Sequence, residues 1–417
     1  MKTNKIIGII GAVVLVLGLG AGMIYLLTGA GEQPSTIIAS STDGKSISLV
    51  EGKNKITAGG TYRFTGNISN GKILIETDAD VAIILDNVSI TNPIGAAIKS
   101  KGTGKLTVEL VGENTLSSTD TSEDPAAAIS GNAAVEITGD GSVTLQSNGK
   151  GVKAESTLTL NGGSFEITTA DDALHSNSDM IIAGGNFTIN TDDDAIHADG
   201  NLTVSGGKID IAKSHEGIEA NHVEISGGEI AIVADDDGIN AQNSDGSTMI
   251  GVAGDGTLVI SGGKLYVNAV GDGLDSNGAI EISGGEIYVD GPVNSANGAI
   301  DYDGKMTITG GTLIATGAAG MAMNATSATQ PSVLINLSGN YSGALSFGGV
   351  SFEPSKTYSS VLISSGTLNV GESYELIIGG KTIQTVSITD TIVGGGNMMM
   401  GGGMNGNGTS GSMGNRW

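Results

Sequence analysis

Two phrases decide the fold: Ala170-Asp171-Asp172-Ala173-Leu174-His175 and, 22 residues later, Asp192-Asp193-Asp194-Ala195-Ile196-His197. They return in looser form as Ser214-His215-Glu216-Gly217-Ile218-Glu219, Asp235-Asp236-Asp237-Gly238-Ile239-Asn240 and Val270-Gly271-Asp272-Gly273-Leu274-Asp275. A repeat of this length, with acids at one fixed phase, implies one supersecondary unit stacked on itself. Stacking also sets like charges above one another, so a positive partner is needed between them.

Working outward, the repeat is phased by Gly-Gly pairs that begin at 162, 184, 206, 227, 262, 284 and 310. Aliphatic residues stand four and two positions before each pair, as in Leu158/Leu160 and Met180/Ile182. Other apolar residues stand three and five positions after it, and twelve after the first five pairs, as in Phe165/Ile167/Leu174 and Phe187/Ile189/Ile196, with Ile300 resuming the last column. Within one strand such alternation says only half-buried. Held in register coil after coil, it predicts a right-handed parallel β-helix with aliphatic ladders inside, the glycines making a tight corner. No segment of residues 59–318 has helical periodicity, and this span is assigned to the solenoid. The wide gap before Gly262 predicts an inserted loop of about 13 residues within 241–255.

The ends read differently. Lys2 and Lys5 precede an uncharged apolar run, Ile6 to Leu27, of 22 residues. That is long enough to cross a bilayer as a helix, with the lysines cytoplasmic, or to serve as a cleaved signal peptide. Either way residues 1–30 place the rest outside the cytoplasm, secreted or at the cell surface. Residues 31–58 read as a linker with entry strands and 319–392 as a β-rich cap over the open solenoid end. Residues 393–417, rich in Gly, Asn and Met, read as a disordered tail whose methionines could ligate a soft metal.

Charge excludes some partners. The 417 residues carry 19 Lys plus Arg against 44 Asp plus Glu, a net charge of −25, which opposes nucleic acid. Cysteine is absent, so there is neither a disulfide nor a thiolate metal site. The column ten residues after each first glycine is Asp172, Asp194, Glu216, Asp237 and Asp272. One position earlier stand Asp171, Asp193, His215, Asp236 and Gly271; thirteen after stand His175, His197, Glu219, Asn240 and Asp275. These columns flank one inward Leu or Ile, so they are expected on the outer surface around one corner.

Coils about 4.8 Å apart make neighbouring carboxylates repel by roughly 3–4 kcal/mol at an effective dielectric of 20. The same rise is about twice a Ca–O distance, so acids on adjacent coils could share a Ca²⁺ ion. Asp171, Asp172, Asp193 and Asp194 form the densest set, with Asp236, Asp237 and Asp272 a second; Glu216, Glu219 and Asp275 extend the ligand set. Solubilising turn acids are the blander alternative. His175 and His197 suit zinc or simple pairing with carboxylates. Together with His215, Lys150 and Lys153 they are candidate sugar contacts.

The Asp-Asp-Ala-Leu/Ile-His phrase with repeated Ile-Ser-Gly-Gly resembles the calcium-binding parallel β-helix family of bacterial and archaeal carbohydrate-binding proteins. That family is akin to family 9 pectate lyases. Gly59-Gly60-Thr61-Tyr62, Leu85-Asp86-Asn87-Val88, Gly95-Ala96-Ala97-Ile98 and Gln330-Pro331-Ser332-Val333-Leu334 extend the likeness over most of the chain. The resemblance implies calcium on the paired acids and a polysaccharide partner, an acidic polygalacturonate-like glycan or cellulose. Three readings follow: a calcium-dependent glycan binder, a pectate-lyase-type enzyme with a lysine base, and a surface adhesin in which calcium is only structural. Lysines 150, 153 and 213 are the candidate bases, with pairing to neighbouring acids as their alternative role.

Overall fold

A computed structural model describes residues 13–16, 23–26, 34–38, 46–244 and 253–395. The described residues are all β, a solenoid of about 13 turns with no helix. Strands stack parallel and in register: Leu158 pairs with Met180, Phe165 with Phe187, and Leu174 with Ile196. Each coil buries the same positions. Leu160, Ile182 and Val204 have no exposed surface, nor do Leu174, Ile196 and Ile218. The two phenylalanines stack with ring centroids 4.6 Å apart, an aromatic pair set entirely by the repeat.

The Gly-Gly corners have a steric cause. At Gly284 an added Cβ would sit 2.1 Å from the Ser261 carbonyl oxygen of the previous coil, and Gly285 has φ +85°. The first glycine lets the backbones approach; the second supplies the left-handed conformation.

Two ends close the core differently from the middle. The last coil's strand Thr312–Gly317 pairs antiparallel with Tyr358–Ser365, which pairs antiparallel with Ser332–Tyr341. Alternation then works on two cores at once. Leu334 and Leu362 complete the solenoid interior, whereas Val333, Ile335, Val361 and Ile363 face a second cluster with Leu345, Phe347 and Leu376.

The helix expected over Ile6–Leu27 is not supported. Most of that run lies outside the described residues, and its described pieces, Val13–Val16 and Met23–Leu26, are paired antiparallel strands. The physical reason is local: the β-branched valines at 13, 14 and 16 favour strand. No helix among the described residues is long and apolar enough to cross a membrane. Residues 245–252 of the expected loop and 396–417 of the tail also lie outside the described residues.

Because every ladder position is tightly packed, Ile189→Ala should cost about 2–5 kcal/mol of stability. Urea unfolding followed by far-ultraviolet circular dichroism measures it, and an unchanged midpoint would contradict a continuous interior.

Candidate functional site

The site is built by the shortest strand of each coil. Val152–Ala154, Leu174–Ser176, Ile196–Ala198, Ile218–Ala220, Ile239–Ala241 and Leu274–Ser276 pair in sequence. The first residue of each triplet points inward and the second outward. The outward ladder is therefore Lys153, His175, His197, Glu219, Asn240 and Asp275. The turn just before each triplet supplies Lys150, Asp172, Asp194, Glu216, Asp237 and Asp272.

Several turn carboxylates already hold backbone. Asp194 Oδ1 accepts the Glu216 N–H at 3.1 Å, Asp237 Oδ1 that of Asp272 at 2.6 Å, and Asp272 Oδ1 that of Gly298 at 2.5 Å. One oxygen thus ties down the next coil while its twin remains for another partner. The expectation of a fully exposed corner needs correcting: Asp172, Asp194 and His175 are only 3%, 7% and 9% exposed. Side chains stacked one coil apart cover each other.

The N-terminal half of the column is neutralised by protein cations. Lys150 Nζ donates to Asp171 Oδ1 at 2.7 Å and Asp172 Oδ2 at 2.6 Å. His175 Nδ1 lies 2.7 Å from the same Asp172 oxygen, and its ring stacks 4.9 Å from that of His197. Burial pushes the Asp172 carboxyl up, but the His175 hydrogen bond and the Lys150 ammonium outweigh it and hold it at about 2. His197 Nδ1 reaches Asp194 Oδ2 at 3.2 Å and Glu219 Oε2 at 3.3 Å. Burial opposes its charge, yet those two carboxylates drive the imidazole up to about 11.

The C-terminal half has no such relief. Among the described residues no lysine or histidine forms an ion pair with Asp237, Asp272 or Asp275. Burial first, then neighbouring acids, push Asp237 up to about 6, Asp272 to about 7 and Asp275 to about 8; Glu216 rises to about 9. Asp301 is also raised by burial. Gly271 is required in this crowd, since a Cβ there would come within 2.3 Å of Asp237 Oδ1 and 2.5 Å of Asp236 Oδ1.

A family profile described as carbohydrate-binding domain-containing protein matches residues 51–295 and 246–411. The chain belongs to this carbohydrate-binding domain family. A carbohydrate-binding domain-containing protein of Acetivibrio thermocellus is 30% identical over 141 residues, 31% of this chain and 49% of the relative. The chain therefore spans about half the length of the curated relative it matches. A polysaccharide lyase-like protein from C. thermocellum, solved as a gadolinium derivative, aligns over 69% of this chain and 98% of its own. Its identity is 21% and the TM-score 0.38, so the description of this family member's solenoid rests on the ladders above.

Four triplets place ligand atoms close enough to hold a metal ion: Asp171/Asp172/Asp193, Asp172/His175/His197, Asp194/His197/Glu219 and Asp237/Asp272/Asp275. The sequence's densest set is divided in space. Lys150 sits on Asp171 and Asp172, while Asp194 joins His197 and Glu219. Asp236 lies beside the last triplet but turns towards His215, 3.8 Å from its Nε2, and Glu216 accepts the Asn240 amide at 3.3 and 3.2 Å. Lys153 pairs with Glu155 at 3.1 Å. Sequence reasoning missed an aromatic cleft where Tyr266 and Tyr288 meet Phe352, with ring centroids 6.3 and 5.5 Å apart, beside a cavity of about 550 Å³. Its signal was present: both tyrosines lie four residues after a first glycine.

The raised carboxylates bind more protons folded than unfolded, so stability falls as pH rises from about 4 through about 8. His197 works in the same direction, losing its contribution above about 6.5; Asp172 opposes only in strong acid. In chelator, the melting temperature should therefore be lower at pH 8 than at pH 5. A rising melting temperature across that range would show the column is not buried as described.

Proposed function

We propose that this family member is an extracellular, calcium-dependent polysaccharide-binding protein for acidic, polygalacturonate-like glycans, with cellulose a further ligand. The observation that carries the calcium assignment is the Asp237/Asp272/Asp275 triplet, which offers only carboxylate oxygens and, among the described residues, has no ion pair to a protein cation. Hard oxygen donors on a strongly acidic, cysteine-free chain suit Ca²⁺ better than a soft metal. Asp237, Asp272 and Asp275 would hold the ion, with Asp301 and Glu216 nearest in the same column. The Asp171/Asp172/Asp193 group is the weaker candidate, because the Lys150 ammonium already compensates it.

Bound calcium would supply the positive charge that lets a protein of net charge −25 face a polyanion. The chain's own contribution is rigid spacing: carboxylates on consecutive coils stand about 4.8 Å apart, in line with the solenoid axis. Placement outside the cytoplasm rests on the sequence alone, on the lysine-preceded apolar run at residues 6–27 read as a signal segment.

Among the candidate bases named from the sequence, Lys150 and Lys213 favour binding over lyase chemistry. A lyase base must be neutral to take the proton alpha to the uronate carboxyl. Burial lowers the Lys150 pKa, but Asp171 and Asp172 overcome it and raise it above the ordinary lysine value. Lys213 is likewise raised, by its hydrogen bond to Asp192.

Retention on polygalacturonate gels should be strong in Ca²⁺ and fall at least tenfold in chelator, with little unsaturated product absorbing in the ultraviolet. Full retention after chelation would reject the calcium bridge, and steady product formation would favour the enzyme. Asp272→Asn with Asp275→Asn should lower Ca²⁺ affinity in calorimetry by roughly tenfold or more. Unchanged uptake would move the ion elsewhere on the column.

A further inference from the structure

The outward ladder that ends in acids begins in lysines. Register pairs Lys99 with Ser130, Ser130 with Lys153, Lys153 with His175, and so on through His197, Glu219 and Asn240 to Asp275. These seven steps span about 34 Å at roughly 4.8 Å per coil. Charge changes sign along one straight flank, from ammonium through imidazole to carboxylate.

At the basic end lies a cavity of about 350 Å³, lined by Lys72, Lys99, Lys150 and Lys153 with small residues such as Gly95 and Ala96. That volume is within the roughly 300–1,000 Å³ usual for small-ligand sites. Two of the amines are already matched: Lys150 by Asp171 and Asp172, Lys153 by Glu155. Lys99 Nζ donates only to neutral oxygens, Ser130 Oγ at 2.9 Å and Asn132 Oδ1 at 2.8 Å. Lys72 Nζ has neither a hydrogen bond nor an ion pair among the described residues, and it lies beside Gly95, where an added Cβ would come within 3.6 Å of it. Asp124, Glu155 and Asp171 also line the cavity, so four lysines face three carboxylates and the one excess positive charge falls to the Lys72 and Lys99 pair.

We infer that this pocket is a calcium-independent subsite for the carboxylate of a uronic acid residue, held by the unmatched ammonium groups of Lys72 and Lys99. Burial, then the neighbouring lysines, disfavours the charge on Lys72, and burial does the same for Lys99; Asp120 and Glu155 offset this only in part, and both lysines stay below the ordinary value. A bound carboxylate relieves both through charge-assisted hydrogen bonds. Gly95, Ala96, Pro125, Ala126 and Ala127 also line the cavity, small side chains that leave room for a sugar ring. The inference deepens the acidic-glycan reading and rests on it. A polyuronate lying along the flank would meet lysines directly at one end and the acidic column through calcium at the other.

The test is calorimetry of the full chain with oligogalacturonate and with its fully methyl-esterified counterpart, in Ca²⁺ and in chelator. Wild type should retain weak binding of the free acid in chelator and show none for the ester. Lys72→Ala with Lys99→Ala should abolish that residual binding and weaken binding in Ca²⁺ by roughly tenfold or more. Calcium uptake and melting temperature should stay unchanged, and Lys72→Arg should largely retain affinity. Equal affinity of wild type and double variant, or equal binding of acid and ester, would overturn the subsite alone. No binding of oligogalacturonate by wild type even in Ca²⁺ would overturn the acidic-glycan reading and the subsite with it. If the double variant melts early, Lys99→Met alone, with the same ester comparison, decides the matter.

Discussion

The structure depends on one constraint: equivalent positions of successive coils lie directly above each other at the spacing of hydrogen-bonded strands. Any side chain at a ladder position meets the equivalent side chains of the coils above and below. For leucine and isoleucine this is favourable, since each fills the gap left by the last and the interior runs unbroken. For carboxylates it is unfavourable, because repulsion repeats at every step and burial deepens it. The protein meets both consequences of one geometry.

It answers the second in two ways along the same column. Near Asp172 and Asp194 the answer is internal, with an ammonium and two stacked imidazoles placed among the acids. Near Asp237, Asp272 and Asp275 those side chains are replaced by glycine, asparagine and more acid, and the carboxyls are left displaced far above their usual values. The contrast separates a self-compensated network from a group of carboxylates that lacks a protein cation among the described residues. It also explains why backbone N–H groups are aimed at Asp194, Asp237 and Asp272: each fixes one oxygen and orients the other. Turn capping and ligand placement are therefore not competing accounts of these residues.

The proposed glycan reading draws on the same repetition. A polysaccharide is itself periodic, and a solenoid flank offers a matching row of groups without needing a deep cavity. Because the row changes from lysine to acid along its length, the flank has a direction. The aromatic cleft at Tyr266, Tyr288 and Phe352 stands on another face and is closed by the C-terminal strands, so the fold carries apolar and charged surfaces separately.

By itself the sequence determined the solenoid, because period-2 alternation locked to a 22-residue repeat has no other compact solution, and it determined which residues share a ladder. Leu174 above Ile196 and His175 above His197 could be read from spacing alone. What it could not determine was which acids are compensated. Lys150 and Asp172 lie 22 residues apart, and only the packed corner shows the ammonium between two carboxylates rather than in solvent. Lys72 and Lys99 escaped notice because the earliest coils depart from the regular period, so their place beside the acidic flank exists only in three dimensions. The apolar run at residues 6–27 marks the opposite limit: its hydrophobicity suggested a helix, while local β-branching favours strand and its two described pieces are strands. Periodicity fixes neighbours along the axis; the charge state of a group is fixed by everything that packs around it.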